Sequence, residues 1–151
     1  MLGYTYIFSR RRRHLMTEVV VSSTAEKGMQ HDVTAGKHKW VADAGEDIGG
    51  HESGPNPHEM MLAALGSCTS MTLKVFAGRR GWKLDEVSVK LLEETVEDPN
   101  NPGKKMFKIS RDIHIKGDLT QEQRDTLKSI ADKCPIHKLL TESKQIVTQL
   151  N

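Results

Sequence analysis

Apolar and polar positions divide this 151-residue chain into stretches of different kinds. Residues 17–24 are dense in β-branched side chains and predict a strand. Ala25, Glu26, Lys27 and Gly28 then read as a turn. Residues 29–35 and 38–42 alternate in part and are separated by Gly36, which predicts a small antiparallel meander. Residues 45–57 carry Gly45, Gly49, Gly50, Gly54, Pro55 and Pro57, and no run among them is expected to sustain a helix or strand.

The next segment has a different pattern. Pro57 suits the first turn of a helix, Met, Leu and Ala favour its interior, and Gly78 to Gly81 offer a stop. Between Met60 and Ala77 the one charged side chain is Lys74. A helix apolar nearly all round is buried on every side. A chain of this size has little mass of its own to surround one, so a second subunit is expected to cover part of it.

Residues 82–96 then alternate as a long strand, with Val87, Val89 and Leu91 on one face. Residues 97–103 form a turn-rich connection. Residues 106–115 predict a second strand pairing antiparallel with the first, its faces reading Phe107, Ile109, Asp112 and His114 against Lys108, Arg111, Ile113 and Ile115. Thr120 and Gln123 have capping-box spacing. They open a helix with Leu127, Ile130 and Ala131 as its apolar stripe, running to Cys134, where Pro135 interrupts. A short helical turn through Leu140 and a last strand over residues 145–150 complete an α+β chain.

Composition narrows the function classes. Hydrophobic residues make up 36%, aromatic residues 5% and charged residues 28%. With a mean hydropathy of −0.52, this describes one soluble domain with a thin, aromatic-poor core. The 22 basic and 20 acidic residues give a net charge of +2, no field of the kind that concentrates nucleic acid. Arg10, Arg11, Arg12 and Arg13 are consecutive, and residues 1–15 read as a disordered extension or a misassigned start, leaving 16–151 as the domain. A short apolar stretch precedes these arginines, the reverse of a secretory signal. No run reaches the roughly 18 apolar residues that span a bilayer.

Two cysteines, Cys68 and Cys134, are too few for a disulfide scaffold or a four-thiolate metal site. Small buried hydrophobes, one disulfide and redox chemistry all remain open, and residue types alone do not show that the two thiols meet. His31, His38, His51, His58, His114 and His137 include no zinc-spaced pair on one helix, so no metal is expected.

Gly54, Pro55, Asn56, Pro57, His58, Glu59 and Met60 lead into Leu62, Ala63, Ala64, Leu65, Gly66, Ser67 and Cys68. Together with residues 131–137 (Ala, Asp, Lys, Cys134, Pro135, Ile, His137), this resembles the OsmC/Ohr family of osmotically inducible and organic hydroperoxide resistance proteins, in its OsmC-like branch. The resemblance implies an intertwined homodimer whose long central helices are wrapped by antiparallel sheets. It implies that Cys68 is the peroxidatic nucleophile and Cys134 the resolving thiol, in a cytoplasmic, cofactor-free hydroperoxide reductase recycled by an external dithiol. Its partners are then a second copy, a hydroperoxide and that reductant, with no nucleic acid and no membrane.

Two positions depart from the family pattern. Studied members supply an arginine from the turn after the first strand and orient it with a glutamate directly after Asn-Pro. Here the turn offers Lys27, and His58 follows Asn56 and Pro57, with Glu59 one place later. His58 lies ten residues, about 15 Å, from Cys68 along a straight helix. His58 and Glu59 are therefore candidates acting only through a dimer partner or a bridging cation, and Lys27, Arg79 and Arg80 are the candidates for that cation. A non-catalytic protein that keeps the fold and binds a small apolar ligand at the dimer interface is the alternative.

Overall fold

The computed structural model describes residues 18–150. The expected extension over residues 1–15 lies outside them. Two compact units meet in sequence at Pro57 and His58.

In the first unit, β1 (Val19–Ser22), β2 (His31–Ala35) and β3 (His38–Ala42) form an antiparallel sheet in that order. Val19 pairs with Ala35, and His31 with Ala42. A single 3-10 turn at Glu46–Ile48 corrects the expectation that residues 45–57 hold no helical turn. One turn of i→i+3 bonds is short enough to fit between Gly45 and Gly49.

The loop after β3 is organised by one buried carboxylate. Asp43 accepts from the Ser53 hydroxyl (2.7 Å) and from the N–H groups of Ala44 (2.8 Å), Ser53 (3.1 Å) and His51 (3.2 Å). These bonds, that of Ser53 foremost, hold its carboxyl well below the usual carboxylate range against the opposing pull of burial. A depressed folded pKa means that the stabilisation is complete above the unfolded value of about 3.9 and is lost as pH falls toward the folded one. Asp43→Asn is expected to lower Tm by several degrees at neutral pH, with the gap from wild type closing on acidification below about pH 4. Thermal melts across that range check it; a gap independent of pH would contradict it.

The second unit begins with α1 (Pro57–Arg80), which stops before Gly81 in the left-handed region (φ 67°). Next come β4 (Glu86–Glu97) and β5 (Lys105–Lys116), an antiparallel pair in register from Glu86 with Lys116 to Glu97 with Lys105. Asp98 closes the intervening turn, accepting from Asn100 N–H (2.9 Å) and Asn101 Nδ2 (2.6 Å). Then follow α2 (Gln121–Ala131), opened by the capping box of Thr120 and Gln123, and α3 (Pro135–Thr141). Leu73 and Ala77 of α1 and Leu127, Ile130 and Ala131 of α2 form the core, with Ile113, Ile115 and an edge-on Phe76–Trp82 pair (5.6 Å) against it.

Three further expectations need correction. Residues 145–150 form no strand, and Ile146, Val147 and Leu150 stand exposed. A strand exists through its ladder, and among the described residues none pairs with this segment. The helix expected to reach Cys134 ends at Ala131, because the residue before a proline is driven to extended backbone. In β5 the alternation is unbroken, so Ile109 shares the half-buried side with Arg111, Ile113 and Ile115.

By length and hydropathy (1.4 over an 18-residue window) α1 is long and apolar enough to cross a bilayer, which a search for an unbroken apolar run misses. It packs instead as a core helix through Leu65, Gly66, Thr69, Thr72, Leu73 and Ala77. Its opposite side carries Met71, 65% exposed, and Val75.

Candidate functional site

The two cysteines, 66 positions apart in sequence, meet. Cys68 sits in the middle of α1 with its side chain partly accessible; Cys134 is fully buried and both are free thiols. Cys134 is the N-cap of α3, and its sulfur accepts from His137 N–H at 3.5 Å. Pro135 takes the first helical position, where a missing N–H costs nothing. The first available amide of α3 is then Ile136, near enough to the Cys68 sulfur to favour its thiolate. The Cys134 thiol is a near neighbour of Cys68, close enough to act on its ionisation.

Burial raises the Cys68 pKa above its ordinary value, and the neighbouring Cys134 thiol adds to the rise. The Ile136 N–H and the Thr72 hydroxyl pull the other way without prevailing. In this reduced form Cys68 is therefore mostly a neutral thiol at pH 7, a weak nucleophile until it loses its proton.

Sequence reasoning missed the side chain that ties this site together. Arg111 of β5 is 13% exposed in its side chain. Its Nη1 donates to Thr69 Oγ1 (3.0 Å) and to the Ala131 carbonyl (3.2 Å), and its Nη2 to Asp132 Oδ1 (2.6 Å). The signal was present: an arginine between isoleucines on the inward side of a strand is a buried charge in need of partners.

The other candidates make contacts of their own. His58, in the first turn of α1, bonds Glu93 through Nδ1 (2.7 Å), and its ring tilts against Phe107. Glu59 is exposed in the same turn. Lys27, in the first unit, pairs with Asp32. Arg79 and Arg80 lie in the last turn of α1, three turns or about 16 Å beyond Cys68, with the Arg80 guanidinium 5.3 Å from the centre of the Phe76 ring. His137 meets the site through its backbone amide. Among the described residues no group of His, Cys, Asp and Glu is arranged to hold a metal. Beside Arg111 a cleft of about 330 Å³ opens between β5 and α2, walled by Leu73, Ile113, Ile115 and Leu127, with Arg124 and Lys128 also lining it.

Residues 50–149 match the family model described as OsmC-like protein. The fold is shared with the OsmC-like protein from Mycoplasma pneumoniae (TM-score 0.66, 12% identity, covering 82% of this chain and 86% of that one). It is shared as well with an organic hydroperoxide resistance protein from Elizabethkingia anophelis (TM-score 0.62, 16% identity, 87% and 91% covered). The organic hydroperoxide resistance protein OhrB of Bacillus subtilis also superposes (TM-score 0.55, 19% identity, 83% and 90% covered). No curated protein sequence matches the chain.

Proposed function

Because the chain belongs to the OsmC-like protein family, we propose that it reduces organic hydroperoxides through Cys68 and Cys134. The observation that carries this reading is the nearness of two free thiols, one partly accessible and one sealed. The Cys68 thiolate attacks a peroxide oxygen, the O–O bond breaks, and the alcohol departs with a proton, leaving a sulfenic acid. The Cys134 sulfur then attacks the Cys68 sulfur, water is expelled, and a disulfide forms. An external dithiol returns two electrons and two protons by exchange. Sulfur itself supplies the electrons, so the cycle calls for no cofactor. A second copy covers Met71, Val75 and the rest of the outward side of α1, making the working form a homodimer.

Two observations favour a second reading, a non-catalytic protein that binds a small apolar ligand: the raised Cys68 pKa and the apolar-walled cleft. Two measurements bear on them, one on the pKa and one on the chemistry. Iodoacetamide alkylation of Cys68 is expected to accelerate with pH beyond about 8.5, the value of a free thiol, since the reactive thiolate grows as pH passes the raised pKa. A rate already level below pH 8 would contradict the raised pKa. At equal thiolate fraction, the catalytic reading requires Cys68 to react with a hydroperoxide orders of magnitude faster than free cysteine does. Parity of the two rates sinks it.

A further inference from the structure

We propose that Arg111 is a positioning residue that holds the two cysteine-bearing turns in the geometry required for disulfide closure, an inference that rests on the thiol-pair reading of the site. All three of its partners belong to those turns. Thr69 directly follows Cys68, and its hydroxyl donates onward to the Leu65 carbonyl (2.8 Å) within α1. The Ala131 carbonyl that accepts from Arg111 also accepts from Cys134 N–H (3.4 Å). Asp132 lies two residues before Cys134 and supplies the countercharge.

The anchor point is stiff. Arg111 projects from a strand paired along its full length with β4, opposite Leu91. Leu91 in turn packs over Gly66, where an added Cβ would come within 2.8 Å of its Cδ1. The hairpin therefore presses on α1 two residues before Cys68, while Arg111 grips it one residue after. From this support the guanidinium reaches α1 and the α2–α3 junction in two directions at once. Lysine, with one nitrogen, offers no such fork. Because its contacts are a hydroxyl, a carbonyl and a carboxylate, Arg111 acts on the sulfurs through their backbone neighbours.

The test is a glutathione redox titration of the full chain. Glutathione disulfide takes two electrons and two protons from Cys68 and Cys134, giving the protein disulfide and two glutathione thiols. The equilibrium constant is the effective concentration of one thiol at the other. Arg111→Met is expected to lower it by about 10-fold to 100-fold, the cost of misplacing reacting groups by about an ångström. Arg111→Lys should recover little of this. Cys68 alkylation, compared with and without Arg111→Met in a Cys134→Ser background, should change less than about 3-fold, since positioning for closure leaves the lone thiol alone.

An unchanged effective concentration in Arg111→Met overturns the proposal. Equal losses in titration and alkylation also overturn it, by reducing Arg111 to a general support of the fold. If Arg111→Met does not fold, Asp132→Asn, at an exposed side chain, decides by the same titration: a fall of several-fold supports the proposal and no fall overturns it. A wild type that titrates normally yet ignores hydroperoxides removes the peroxidase reading and leaves the assignment of Arg111 standing.

Discussion

A Cys68→Ser protein is expected to consume an organic hydroperoxide no faster than the dithiol alone. A hydroxyl stays protonated at neutral pH and is a poor nucleophile, and the remaining thiol, Cys134, is sealed from an incoming peroxide. The substitution should leave the fold intact. Serine at 68 can donate to the Ala64 carbonyl one turn back, as Ser67 does to Ala63 (2.8 Å) and Thr69 to Leu65 (2.8 Å), and the position is not sealed. Peroxide consumption with a coupled dithiol, alongside a thermal melt, checks this. Equal turnover by folded wild type and variant would remove Cys68 from the chemistry.

Cys134→Ser should separate the cycle into its halves. The first equivalent of hydroperoxide is still consumed, but the product retains one oxygen atom on Cys68 in place of losing two hydrogens. Steady turnover is expected to fall at least about tenfold, because an external thiol must replace one held at high effective concentration. Excess peroxide then carries the sulfenic acid to the sulfinic state. Serine suits the position as a helix N-cap, where it can accept from His137 N–H as the sulfur does. Intact mass after one equivalent decides: a variant with no retained oxygen would show that Cys134 is no resolving thiol.

Much of this architecture is readable along the chain, because its cues are local. Pro57 and the run of Met, Leu and Ala mark α1, period-two alternation marks β4 and β5, and Thr120 with Gln123 marks the start of α2. Residues 145–150 mislead for the opposite reason, since an apolar extended segment becomes a strand only where another strand offers it hydrogen bonds. At the site, the Cys-Pro step announces a helix start at residue 135, which places Cys134 as the cap. The meeting of that cap with Cys68 is a tertiary fact carried by how α2 lies on α1 through Leu73, Ala77 and Leu127. The bonds of Arg111 likewise join residues 20 to 42 positions apart, beyond the reach of spacing rules. Its inward parity in β5 is the one local trace of them.

On the proposed cycle, the unequal exposure of the two sulfurs would give recycling a regiochemistry. With Cys134 at 0% exposure, an incoming reductant can reach the bridge only from the Cys68 side. The mixed disulfide then forms on α1, and the sulfur released is that of Cys134. It is released at the cap of α3, where the His137 amide at 3.5 Å is already placed to receive a departing thiolate. A reductant suited to this protein would thus be selected by what fits at the approach to Cys68, and its thiol need not enter the protein interior.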